Sequence, residues 1–191
     1  ESVGEIPPER WNAEAWYDAD LSAPGKSNSK WGGFLRDIDQ FEPLFFHLSP
    51  KDAAAMDPQQ RLCLMESWRA LEDAGYAPDS LAGRAVGVYV GAREPEYPVL
   101  AARQGQPANA GLMLGGDMSL IAARLSYFLN IDGPSVVVDT ACSSSMTALH
   151  LACAGLRQGD AEIALAGGVC LTLDPSFYVA SSKLGIFSPT G

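Results

Sequence analysis

Between residues 57 and 166 the chain alternates two hydrophobic patterns: short unbroken apolar runs, and stretches in which apolar residues recur every three or four positions. The first pattern suits strands buried on both faces and the second suits amphipathic helices. Asp57-Pro58 opens a helix, with Asp57 as N-cap and Pro58 at the first helical position. Leu62, Met65 and Leu71 supply its apolar stripe, and Gly75 ends it. Residues 85–90 then read as a buried strand, and residues 91–112 as a long irregular connection. A second helix is predicted over 118–129, with Leu120, Ile121, Leu125 and Phe128 inward. A Gly133-Pro134 turn opens the apolar, β-branched run Pro134-Ser135-Val136-Val137-Val138, again a buried strand. From Ser143 the spacing predicts a third helix, with Met146, Leu149, Cys153 and Leu156 on one face and an end near Gly159. The strand Ile163-Ala164-Leu165-Ala166 comes next, leaving through Gly167-Gly168, where close backbone approach is expected. Residues 1–50 are loop-rich, with Trp11, Trp16, Tyr17 and Trp31 interspersed among acids, and the aromatic cluster of FEPLFFHLSP is expected to pack onto the body of the protein. Strands alternating with helices predict an α/β fold whose sheet is covered on both faces.

Composition narrows the function classes. With 47% hydrophobic residues the 191-residue chain can build a core, and its net charge of −10 argues against nucleic acid, whose binding needs clustered Lys and Arg. No apolar run is long enough to span a membrane and no signal peptide is visible, so a cytoplasmic location is expected. Neither ESVGEIPPER nor SPTG reads as a natural terminus, which suggests an excised piece. The four cysteines, Cys63, Cys142, Cys153 and Cys170, form no CxxC pair and have no histidine at zinc-finger spacing. Reduced thiols, with no bound metal or cofactor, are the expectation.

Cys142 stands apart because it lies where a predicted strand becomes a predicted helix, among the small polar residues Thr140, Ser143, Ser144 and Ser145. Unpaired N–H groups and the positive end of the dipole favour a thiolate there. The helix does only part of the work. A thiol of pKa about 8.5 is roughly 3% ionised at pH 7, and a dipole contribution of about 1 kcal/mol raises that to somewhat over 10%. The same N–H groups suit an oxyanion formed when the sulfur attacks a carbonyl. Most cysteines are core residues without chemistry, and Cys63, Cys153 and Cys170 are read that way. His150 is eight residues beyond Cys142 on the same helix, a rise of about 12 Å, and His47 lies among bulky aromatics. Cys142 therefore has no visible base here, which points either to an inert cysteine or to a partner missing from the chain.

The residues around Cys142, Val138-Asp139-Thr140-Ala141-Cys142-Ser143-Ser144-Ser145 after Gly133-Pro134-Ser135, resemble the active-site segment of β-ketoacyl synthases, specifically the ketosynthase domains of modular type I polyketide synthases. Arg10-Trp11, Trp31-Gly32-Gly33-Phe34, Met56-Asp57-Pro58-Gln59-Gln60-Arg61, Leu71-Glu72-Asp73-Ala74-Gly75-Tyr76, Ala123-Arg124-Leu125-Ser126-Tyr127, Ala166-Gly167-Gly168-Val169 and Ser188-Pro189-Thr190-Gly191 extend the likeness in the family's order. The resemblance implies a thiolase-like layered α-β-α-β-α fold, with residues 1–191 forming most of the first α/β half of a partial ketosynthase domain. The family's two catalytic histidines and its lysine would lie beyond Gly191.

The implied activity is polyketide chain elongation by decarboxylative Claisen condensation. Cys142 would be the nucleophile, accepting an acyl chain as a thioester from the phosphopantetheine arm of an acyl carrier protein, with its backbone N–H in the oxyanion hole. A malonyl-type extender would then attack that thioester. The resemblance also implies a homodimer through the strand at residues 134–139. A non-elongating ketosynthase, which transfers acyl chains without condensation, is the alternative reading, and a scaffolding fragment is a third, against which Cys142 itself argues.

Overall fold

The computed structural model describes residues 3–190; Glu1, Ser2 and Gly191, the last residue of the SPTG motif, lie outside the described residues. The chain divides into two compact units, one of residues 3–38 with 172–190 and one of residues 39–171. The first carries β1 (Gly4–Glu5), α1 (Ala13–Trp16), β2 (Trp31–Gly32) and, from the far end of the chain, α8 (Ser176–Lys183). β1 and β2 pair antiparallel, Gly4 opposite Gly32. Its small core is Ile6, Trp11 and Tyr178, with the Trp11 ring edge-on to Tyr178 at 5.4 Å, and the Tyr178 hydroxyl donates to the Trp31 carbonyl at 3.1 Å. Trp11 thus serves packing, as aromatic rings of that size do, and Trp31 contributes its main-chain carbonyl.

The second unit carries the site. Its elements are α2 (Pro50–Ala55), α3 (Pro58–Asp73), β3 (Val86–Ala92), α4 (Tyr97–Arg103), α5 (Ala110–Gly115), α6 (Leu120–Leu129), β4 (Ser135–Val138), α7 (Ser144–Gln158) and β5 (Ile163–Val169). The three strands form one parallel sheet in the order β4-β3-β5. β3 is the centre strand, buried at all seven positions, which is why it reads as an unbroken apolar run. Its side chains divide by parity. Val86, Val88 and Val90 enter the core built with Leu64 and Leu71 of α3 and Ile121 and Leu125 of α6, while Tyr89 meets Ala148 and Ala152 of α7 on the opposite face. The result is a helix–sheet–helix sandwich, the α/β layering that the alternating pattern predicts.

Several expectations are corrected. β4 is an edge strand, paired only with β3 among the described residues, and its valines are half-buried. α7 turns a different face to the sheet: Ser144, Ala148, Ala152 and Gly155 are buried, whereas Met146 is 66% exposed and Leu149 and Leu156 are also exposed. Small residues face the sheet there because the Tyr89 ring of β3 fills the space: it packs on Ala148 and Ala152, and a Cβ added to Gly155 would run into its hydroxyl. In α3 the buried leucines are Leu64 and Leu71, with Met65 packed beside them, so Leu64 takes the place in the stripe predicted for Leu62, two positions earlier. The connection over 91–112 is not irregular; it holds α4 and the start of α5. β5 runs on through Gly167-Gly168 to Val169. Phe46 of the aromatic segment does enter the core, stacked on Phe41 at 5.1 Å.

The start of α3 is a polar hub. Asp57 is fully buried; one carboxylate oxygen accepts from the Gln59 N–H at 2.8 Å, which is the predicted cap, and the other accepts from the Tyr97 N–H at 3.1 Å at the start of α4. Burial pushes the Asp57 carboxyl above its ordinary pKa, and these N–H groups oppose that rise. Gln60, also fully buried, donates to the Leu114 and Asp117 carbonyls and accepts from Arg124 Nε at 2.7 Å. Leu125 has no exposed surface. Replacing it by alanine in the intact protein is expected to cost about 2–5 kcal/mol, read as a lowered urea midpoint.

Candidate active site

Cys142 lies in a single 3-10 turn, Ala141–Ser143, that joins β4 to α7. The predicted junction of strand and helix is therefore present, with one tighter turn inserted. The turn is strained: Ala141 has φ of 56°, the left-handed region that costs a residue with a Cβ on the order of 1–3 kcal/mol. Side chains on either side hold it. Asp139 Oδ1 accepts from the Ala141 N–H at 2.9 Å. The Ser144 hydroxyl accepts from the Thr140 N–H at 2.9 Å and donates to the Ala141 carbonyl at 2.7 Å. The Ser143 hydroxyl reaches the Thr140 carbonyl at 2.8 Å. The polar residues flanking the cysteine thus tie down the turn that presents it. Ser144 is buried while Cys142 is exposed, so the tie lies beneath and the sulfur-bearing residue on top.

The turn's own bonds run from the Ser143 N–H to the Thr140 carbonyl and from the Ser144 N–H to the Ala141 carbonyl. The Cys142 N–H precedes both donors and takes no part in them, as is general for the first residues of a helical turn. Beneath it, the first turn of α7 rests directly on the sheet. A Cβ added to Gly91 of β3 would lie 2.5 Å from the Ser144 carbonyl carbon and 2.5 Å from the Ser145 nitrogen. One added to Gly168 of β5 would lie 2.8 Å from Ser145 Cβ. Those contacts are far inside van der Waals distance, so only glycines let the helix start sit at this depth.

The site lies at the carboxyl ends of the parallel strands, where open α/β sheets place their ligand crevices. Of the other cysteines, Cys63 packs against the core, and burial pushes its thiol up to about 11. Cys153 is half-buried on α7. Cys170 does not fit the packing role expected of it. It is exposed, it immediately follows β5, and although desolvation is the larger influence on its thiol, Arg93, Glu96, Asp139 and Cys142 all act on it electrostatically. The readable signal is its place just past a glycine pair at a strand's carboxyl end. Neither histidine joins the site: His150 is exposed on α7, and His47 lies edge-on to Phe128 with its ring 5.4 Å away. Buried Ser144 and exposed Asp139, which flank the turn, are also positioning groups that spacing alone does not reveal.

The family model for the β-ketoacyl synthase N-terminal domain matches residues 1–191. The chain belongs to the β-ketoacyl synthase family. Among relatives of this synthase segment, a phenolphthiocerol/phthiocerol polyketide synthase subunit of Mycobacterium tuberculosis is 46% identical over 191 residues, covering 100% of the chain and 10% of that protein. Polyketide synthase PksL of Bacillus subtilis is 44% identical over 196 residues, covering 99% of the chain and 4% of that protein. The segment thus spans a tenth or less of the length of these two curated relatives. Among solved structures, an oxazolomycin ketosynthase domain of Streptomyces albus superposes with a TM-score of 0.90 at 42% identity, covering 99% of the chain and 33% of that one. A ketosynthase from module 6 of the bacillaene synthase of Bacillus subtilis gives 0.78 at 40%, covering 99% and 30%. These neighbours assign the synthase segment the thiolase-like α/β fold that its motifs imply.

Gly91→Ala drives a Cβ into the α7 backbone. It is expected to slow iodoacetamide labelling of Cys142 several-fold and to destabilise the protein by about 1–3 kcal/mol, read by peptide mass mapping and urea unfolding. At pH 8 in the unmodified protein, Cys142 is expected to be labelled well before Cys63. Because the thiolate is the reactive form and Cys63 is shifted up to about 11, its labelling should rise only as pH approaches that value.

Proposed function

We propose that this segment carries the nucleophile of a polyketide-elongating ketosynthase, and that Cys142 is that nucleophile. The observation that supports this most is the exposed cysteine at the crest of a strained strand–turn–helix junction, its N–H outside the turn's own bonds. The Cys142 thiolate attacks the carbonyl of an acyl thioester borne on the phosphopantetheine arm of an acyl carrier protein. Negative charge develops on the carbonyl oxygen, within reach of the Cys142 N–H and the positive end of α7. The carrier thiolate then leaves and the acyl chain stays on Cys142 Sγ. In the second stage a malonyl-type thioester loses carbon dioxide, and its enolate carbon attacks the Cys142 thioester. The new carbon–carbon bond forms as the carbon–sulfur bond breaks, returning the thiol and leaving a β-ketoacyl chain on the carrier. Storing the chain on sulfur divides one difficult condensation into two easier steps. Stabilisation of the enolate and proton transfer fall to the histidines that the family resemblance puts beyond residue 191.

The partners are acyl carrier proteins and a second copy of the chain. The strand over residues 134–139 is the dimer contact: β4 is an edge strand with half-buried valines, and such edges need cover. The four free cysteines suit a reducing cytoplasm, and no helix among the described residues is long and apolar enough to cross a membrane.

Incubation of the intact protein with an acyl N-acetylcysteamine thioester should add one acyl group, at Cys142, located by peptide mass mapping. Cys142→Ala should remove the adduct and abolish condensation. An acyl group on another residue, or one that survives the substitution, contradicts the proposal.

A further inference from the structure

The side chain of Gln59 lies between the ends of two strands. β3 and β5 pair in parallel as far as Ala92 opposite Val169. Continued by one more step, the ladder would have the Leu171 N–H donate to the Arg93 carbonyl, since in a parallel pair the bonds follow at even spacing. They do not meet. The Leu171 N–H donates instead to Gln59 Oε1 at 3.2 Å, and Gln59 Nε2 donates to the Arg93 carbonyl at 3.1 Å. The carboxamide takes the place of the missing rung, one end accepting and the other donating as a peptide group would. Inserting it spreads the two strands at their carboxyl ends while leaving neither backbone group unpaired.

Gln59 is itself 1% exposed and held from behind, because its own N–H is the one that Asp57 caps at the start of α3. The strands it spreads are those on which the Cys142 turn rests: Gly91 and Gly168, the two residues in contact with the start of α7, lie two and three positions before Arg93 and Leu171. Cys170 lies between the last paired residue of β5 and the N–H that Gln59 binds.

We propose that Gln59 is a positioning residue for Cys142, its carboxamide acting as a spacer that sets the opening of β3 from β5 and so the seat of the nucleophile's turn. The functional meaning of that seat rests on the ketosynthase reading, but the placement itself does not. Glutamate at this position offers a discriminating variant. Protonated, its carboxyl can accept from the Leu171 N–H and donate to the Arg93 carbonyl, as the amide does; ionised, it has no donor and faces the carbonyl oxygen with a charge. Burial in such a site raises a carboxyl's pKa toward neutrality.

The test compares intact wild-type protein with Gln59→Glu and Gln59→Met, measuring the rate of iodoacetamide labelling of Cys142 by peptide mass mapping between pH 5.5 and pH 8.5, alongside the rate of acylation by an acyl N-acetylcysteamine thioester. At pH 8.5 the Gln59→Glu protein is expected to label and acylate at Cys142 at least fivefold more slowly than wild type. The ratio of the two proteins should return to within twofold at pH 5.5, where the carboxyl is protonated. Gln59→Met, which matches the length but not the polar ends, should be slow at every pH. A Gln59→Glu ratio that does not change with pH, or Gln59→Met rates equal to wild type, overturns the proposal. If Gln59→Glu does not fold, Gln59→Met alone decides. If wild-type protein takes iodoacetamide at Cys142 but no acyl group, the ketosynthase reading fails and the spacer role is judged on the labelling ratios.

Discussion

The structure turns on how closely the start of α7 approaches the sheet. Gly91 and Gly168, on neighbouring strands, present bare Cα atoms to the Ser144 and Ser145 backbone, and no side chain fits between them. That depth shapes the whole junction. Farther along α7 the Tyr89 ring takes up the space above the sheet, so the small residues Ala148, Ala152 and Gly155 face it. The chain leaving β4 climbs onto the helix within five residues, with Ala141 in the left-handed region and the turn held by the Asp139 and Ser144 ties. Cys142 is exposed because it stands at the top of that climb.

Strain of this kind persists only where the surroundings over-determine it, and it is met at functional sites. Here the surroundings are a buried serine, a carboxylate and two glycines, all within the 39–171 unit. The polar hub at the start of α3 extends the same arrangement outward. Asp57 ties α3 to α4, Gln60 ties α3 to the segment after α5, and Gln59 ties it to the ends of β3 and β5. A buried amide or carboxylate that satisfies main-chain groups from two elements positions both more sharply than apolar contact does, because hydrogen bonds are directional and an unmade one in the interior is costly. The Met56–Arg61 motif carries this hub, and its polar residues are internal for that reason.

Composition and spacing suffice for most of the elements and for placing Cys142 at a strand–helix junction. The unbroken run of β3, the Asp57-Pro58 cap, the inward residues Ile121 and Leu125, and the junction before Cys142 are all local properties: dihedral preference, capping chemistry and apolar period act over a few residues. The same local rules point to the wrong face of α7. Met146, Leu149 and Leu156 have helical spacing and the largest apolar side chains, so period and size both favour them, yet burial is decided by what lies opposite. Opposite α7 lie two glycines at its first turn and, farther along, the Tyr89 ring, and neither leaves room for long side chains.

Taken alone, then, the sequence determined an α/β chain of the β-ketoacyl synthase family with one cysteine at a strand–helix junction, because those properties reside in neighbouring residues and in a motif order that spans the chain. Only the tertiary structure decided that Cys170 lies within electrostatic range of Cys142, that Ser144 rather than a larger residue underlies the turn, and that Gln59 stands between β3 and β5. Gln59 and Leu171 are 112 positions apart in the chain, and Cys142 and Cys170 are on separate elements. No local preference encodes such pairings; they exist because three parallel strands end at the same edge and a helix crosses above them.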